Sequence, residues 1–185
     1  GIETDLADLP NIQRRIMYST AKNGKRSIVA THLLESMIDN PTPTRAEVTD
    51  VANAIYEGAD AVMLSGETTV GNYPLKCVEM LKRIALKTEE FRTLGYERFL
   101  KSDSDWQNIA LAARDLASSI EANGIVVITR SGETANVVSN TKPFRMPVFA
   151  FTDNDVTYNQ LSLVGGMQPH RIPSLRTQSS AISMV

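Results

Sequence analysis

The chain has 185 residues, 42% apolar and 22% charged, with a formal net charge of −2, a composition ordinary for one large or two small globular domains. That charge offers no electrostatic reason to expect nucleic acid or an anionic membrane as partner. A single cysteine, Cys77, excludes an internal disulfide framework and a cysteine-rich zinc site. It also fits a reducing compartment. No apolar run approaches the roughly 18 residues that span a bilayer. Gly1, with no methionine, and Val185, with no helix-ending signal, read as cuts in a longer chain.

In chain order, Pro10 opens a helix with Ile12, Ile16 and Met17 on one face, and Asn23-Gly24 stops it. Ser27–Ala30 is short, apolar and strand-like. Pro41-Thr42-Pro43 is a stiff extended link. Thr44 and Glu47 then have the spacing of a capping box, ahead of a helix with Val48, Val51, Ala52 and Ile55 as its buried stripe and Gly58 as its stop. Ala61–Leu64 is a second strand. Pro74 opens a helix with Leu75, Val78, Leu81, Ile84, Ala85, Thr88 and Phe91 on one side. Between Thr93 and Asp105 periodicity fails and charge rises, the mark of a domain boundary. A helix with Ile109, Ala113, Leu116, Ala117 and Ile120 on one face follows, closed by Asn123-Gly124. After it come strand Ile125–Ile128, a short helix through Val138, strand Val148–Phe151, a helix near Val156–Val164 and a weak strand around Gln168–Ile172. Helix and strand alternate throughout, and the strands are apolar on both faces. This pattern is that of an α/β fold with parallel sheets, either a barrel or an open doubly wound sheet.

Three stretches sit just after strands, the ligand-binding end of parallel α/β folds. At the first, the Thr31 hydroxyl can orient an anionic substrate or join a proton relay; the same position also suits a residue that only ends a strand. His32 and His170 stand apart and form no constellation. At the second, Ser65-Gly66 can expose amides to an anion, though Glu67 beside them opposes one and can cap or pair instead. The third is Thr129-Arg130-Ser131-Gly132-Glu133-Thr134. Hydroxyls, a glycine and a helix start meet there, the recipe for a phosphate cradle and equally for an ordinary capping turn. No acidic cluster with a lysine at a strand end, no Walker-type loop and no nucleophile–histidine–acid set accompanies them.

Together the motifs resemble pyruvate kinase. The resemblance rests on Ala30-Thr31-x-Leu33-Leu34-Glu35-Ser36-Met37, Asn40-Pro41-x-Pro43-Thr44-Arg45-Ala46-Glu47, Asp50-Val51-Ala52-Asn53-Ala54, Gly58 through Thr68, and Tyr73-Pro74. It continues more loosely to the end. It implies a transferase of glycolysis, a kinase that moves phosphate from phosphoenolpyruvate to ADP and yields pyruvate and ATP. The implied enzyme is cytoplasmic, ATP-binding, allosteric and homotetrameric, and uses Mg2+ and K+.

Residues 1–92 would then be the last part of a TIM (β/α)8 barrel, with Gly1 at the end of the family's Arg-Gly-Asp-Leu-Gly segment. Residues 93–103 would be a linker, and 104–185 an incomplete three-layer α/β regulatory domain whose final strands are missing. Thr31 matches the threonine implicated in protonating the enolate. The phosphoryl-stabilising lysine and all metal ligands would precede Gly1, so this chain by itself is expected to be inactive. Thr129, Arg130, Ser131, Gly132, Glu133 and Thr134 match the loop that holds the phosphate of a sugar-phosphate or nucleotide effector. Glu133 replaces the usual arginine, and a carboxylate there repels a dianion, so fructose bisphosphate is not the expected effector. His32 replaces a common glutamine. As an alternative from another class, residues 129–135 also resemble the loop of phosphosugar-binding, sugar-isomerase-like modules, which leaves 28–74 unexplained.

Overall fold

A computed structural model of the chain describes residues 4–173. Gly1 and the stretch after residue 173, on which the expectations for the two chain ends fall, lie outside the described residues. The chain separates into two compact units, one of residues up to Lys22 with Arg26–Tyr96, the other of Asn23–Lys25 with the chain from Glu97 onward.

In the first unit, α1 (Leu9–Lys22) leads to β1 (Ile28–Ala30), α2 (Arg45–Tyr56), β2 (Ala61–Met63), the single turn α3 (Gly66–Thr69) and α4 (Pro74–Thr88). The helix expected from Pro10 starts one residue earlier. The capping box forms as read: the Thr44 hydroxyl accepts from the Glu47 amide, and the Glu47 carboxylate accepts from the Thr44 amide. β1 and β2 pair in parallel with Ile28 opposite Ala61 and Ala30 opposite Met63, so both chains leave the pair at the same end. The opposite end is closed by Asp60, whose carboxylate accepts from the Ser27 amide at 2.9 Å and meets Arg26 at 3.2 Å. Leu33, Leu34, Met37, Val51, Cys77 and Ile84 form the core of this unit.

The buried stripe of α4 differs from the expected one. Cys77, Ile84 and Thr88 are buried, while Leu75, Val78 and Phe91 are exposed. The helix carries apolar side chains on more than one face, and the face bearing the small Cys77 is the one that meets α2 and α3.

In the second unit, α5 (Asp105–Ser119) precedes β3 (Ile125–Ile128), α6 (Glu133–Asn140), β4 (Val148–Thr152), α7 (Asp155–Leu161) and β5 (Met167–Arg171). The three strands form a parallel sheet in chain order. Ser104 and Asn154 cap α5 and α7, their side-chain oxygens accepting from the amides of Gln107 and Thr157. Ala110, Val127, Ala135, Val138, Val148, Ala150 and Leu161 make the core.

Here too the helix face is corrected. Ala110 and Ala117 of α5 are buried, and Ile109 (58% exposed), Leu116 (63%) and Ile120 stand outside. Alanine lets a helix approach its neighbours closely, so of two apolar stripes the slimmer one packs inward. With two parallel sheets each accompanied by helices, the chain has the α/β fold expected.

Candidate functional site

The site at the β1 and β2 tips is built by carboxylates. β1 ends at Ala30, and the next two residues, Thr31 (φ 71°) and His32 (φ 54°), both take left-handed backbone conformations. For a β-branched threonine this is an outlier, worth roughly 1–2 kcal/mol of strain. Both residues are exposed. His32 Nδ1 meets the carboxylate of Glu35. Leu33 and Leu34 then plunge into the core, Leu34 fully buried.

Glu67 joins this loop to the next. Its side chain is 2% exposed. Oε1 accepts from the Leu34 amide at 3.0 Å and Oε2 from the Ser65 amide at 2.7 Å. Burial alone would push this carboxyl up. The amides of Glu67 itself, Ser65 and Leu34, with His32 close by, outweigh burial and hold it below the usual carboxylate range. The Ser65 amide that seemed open to a foreign anion therefore already serves an internal one. Beneath lies Cys77, fully buried, its Sγ 3.7 Å from the Glu67 carbonyl and 3.9 Å from that of Met37. Burial first, then the Glu67 carboxylate, push its thiol up, so it is an unreactive packing group.

Farther along the loop, the Ser36 amide and hydroxyl donate to Glu47 at 2.7 and 2.5 Å. The same carboxylate thus caps α2 and fastens the loop that carries Thr31. Its pKa is lowered: burial raises it, but bonds from Ser36 and Thr44 prevail.

The second candidate loop follows β3. Of its six residues, Thr129 and Gly132 are buried and make the turn: the Thr129 hydroxyl accepts from the Gly132 amide at 2.9 Å, and Gly132 takes φ 84°. A Cβ on Gly132 would sit 3.2 Å from Thr157 Cγ2. The Arg130 carbonyl accepts from the Thr157 hydroxyl at 2.8 Å, which ties the loop to α7. The Ser131 hydroxyl accepts from the Glu133 amide at 3.4 Å. Arg130, Ser131, Glu133 and Thr134 are exposed, so the outward chemistry combines one cation, one carboxylate and two hydroxyls. A cavity of about 200 Å³ opens between α5 and this loop, lined by Trp106, Ile109, Ser131, Glu133, Thr134 and Val137 among others. His170 is stacked on Phe151 with ring centroids 5.0 Å apart.

Among the described residues no group of three or more His, Cys, Asp or Glu is arranged to hold a metal ion, and no helix is long and apolar enough to cross a membrane. Reading the sequence missed the two long-range carboxylate bridges, Glu67 to Leu34 and Glu47 to Ser36. The capping-box spacing pointed to Glu47, but nothing local signals its second partner.

Comparison with known proteins points to one family. Residues 1–78 match the family described as pyruvate kinase, barrel domain, and residues 107–185 the family described as pyruvate kinase, alpha/beta domain. A pyruvate kinase of Mycobacterium tuberculosis is 37% identical over 185 residues, covering 100% of this chain and 39% of that protein. One from Thermotoga maritima is 41% identical over 173 residues, covering 91% of this chain and 36% of the relative. A crystal structure of a pyruvate kinase from Cryptosporidium parvum superposes with a TM-score of 0.93 at 30% identity, covering 100% of this chain and 38% of that one. The chain therefore spans well under half the length of the relatives it matches.

Proposed function

Because this chain belongs to the pyruvate kinase family, we propose that it forms part of an enzyme that transfers the phosphoryl group of phosphoenolpyruvate to ADP, with Thr31 as its catalytic contribution. The observation that carries this reading is the parallel pairing of β1 and β2, which brings the Thr31 and Ser65–Glu67 loops out at one end of the strand pair, joined by one buried carboxylate. Phosphoryl departure from the enol oxygen leaves an enolate, and that enolate needs a proton at C3 to become pyruvate. In this reading the Thr31 hydroxyl delivers the proton and is recharged by water.

Residues 1–92 are assigned to the closing part of a (β/α)8 barrel, 93–103 to a linker and 104–185 to a regulatory domain. Magnesium and potassium belong to the whole enzyme, held by ligands outside this chain. Residues 129–134 are assigned to the phosphate of a sugar-phosphate or nucleotide effector. Exposed Arg130, Ser131 and Thr134 favour this, and exposed Glu133 disfavours a dianionic one. A cytoplasmic homotetramer completes the proposal. The sugar-isomerase-like alternative accounts only for residues 129–135.

The test is pyruvate formation by the full-length enzyme and its Thr31→Ala form. A fall in kcat of about 10²-fold or more is expected for loss of a proton-transfer group. Unimpaired turnover removes Thr31 from the mechanism. Residues 1–185 made alone are expected to form no pyruvate.

A further inference from the structure

Among the described residues Thr31 and His32 are the one consecutive pair of non-glycine residues with positive φ. Such a turn persists only where its surroundings hold it. Three carboxylates touch the loop, and they differ in what they can hold. The His32–Glu35 contact is between exposed side chains, 74% and 55% accessible, and such pairs constrain little. Glu47 acts at Ser36, at the far end of the loop, and is shared with the cap of α2. Glu67 alone is fully withdrawn from water, and it binds the Leu34 amide, two residues beyond His32, with one oxygen and the β2-tip amide of Ser65 with the other.

We propose that Glu67 is a positioning residue for proton transfer: by bracing the Leu34 amide against the β2 tip, it keeps the Thr31–His32 turn left-handed and the Thr31 hydroxyl in its working place. The inference rests on the reading of Thr31 given above. Glu67 touches no substrate in this account and acts through the backbone alone. Its shape fits the task. A carboxylate offers two acceptors to two amides at once, whereas the amide of glutamine must turn its own NH2 toward one of those donors. Aspartate keeps both oxygens but is one methylene short.

The experiment uses the full-length enzyme with Thr31→Ala, Glu67→Gln, Glu67→Asp and the double variant Thr31→Ala/Glu67→Gln. Exchange of the methyl protons of pyruvate with deuterated solvent, followed by NMR, reads the proton step without phosphoryl transfer. Steady-state kinetics and thermal unfolding run beside it. For Glu67→Gln, exchange and kcat should fall together by about tenfold to 10²-fold, the scale of a misplaced catalytic group, with little change in KM for phosphoenolpyruvate. Because Glu67 works through Thr31, adding Glu67→Gln to Thr31→Ala should cost no more than about twofold. Glu67→Asp carries the same expectations and replaces Glu67→Gln if that variant does not fold. Exchange within about twofold of the parent in a folded Glu67 variant, or multiplying losses in the double variant, overturns the proposal. Full activity in Thr31→Ala would instead overturn the assignment of Thr31 itself, so the two failures are told apart.

Discussion

Glu47→Ala is the most informative single change for stability. The side chain caps α2 through the Thr44 amide at 2.7 Å and hydroxyl at 2.8 Å, and holds the Ser36 amide and hydroxyl at 2.7 and 2.5 Å. Thr44 still caps residue 47 in this variant, but loss of the reciprocal bond from the Thr44 amide costs about 1 kcal/mol. Hydrogen bonds to a charged acceptor contribute roughly 1.5–3 kcal/mol each when sheltered. Glu47 is only half-buried, so the Ser36 pair is discounted to about 1–3 kcal/mol together. The sum is about 2–4 kcal/mol. Glu47→Gln keeps one oxygen and should lose about half of it.

The assay is amide exchange by mass spectrometry on peptides covering residues 36–56, where 2 kcal/mol corresponds to about thirtyfold faster exchange. The pH dependence follows from the lowered pKa: the folded state favours the carboxylate, so the contribution is complete above the unfolded value near 4.5 and is lost as pH falls through the lower folded value. Glu47→Ala should therefore show a shallower acid-induced loss of protection than the parent. Exchange unchanged within about twofold at neutral pH would refute the argument.

Met37→Ala, at a fully buried position, should destabilise by about 2–5 kcal/mol in urea unfolding. Gly71→Ala should also destabilise, by about 1–3 kcal/mol, because its Cβ would stand 2.5 Å from the Glu67 carbonyl oxygen and the backbone must shift. Cys77 should react with a maleimide only after denaturant is added, as read by intact mass, because it is fully buried with its thiol pKa raised. In the full-length enzyme, Glu133→Arg should raise affinity for inorganic phosphate or a sugar phosphate at the 129–134 loop by about tenfold, measured by calorimetry, since it replaces a repulsion with a charge-assisted bond.

What could be read from sequence was local. The Thr44–Glu47 box forms because helix geometry alone sets that distance. Thr31 could be placed at a strand tip because an apolar run stops there. Its left-handed backbone could not, since Thr-His carries none of the signals that glycine or asparagine would. The Glu67–Leu34 bond joins residues 33 apart, and no periodicity reports such a meeting. The faces of α4 and α5 were misread because each helix has apolar residues on more than one side. Period tells that a stripe exists, but which stripe is slim enough to reach the sheet is decided by neighbours.

The first unit's two strands have only 3 residues each, too few for ladder bonds alone to forbid sliding. Asp60 grips the Ser27 amide below them and Glu67 the Leu34 amide above. A shift of one residue would break both cross-strand bonds together and leave two withdrawn carboxylates each short of an amide. The alignment is therefore locked like a bolt thrown at both ends of a short door, and the loop at its edge inherits that rigidity.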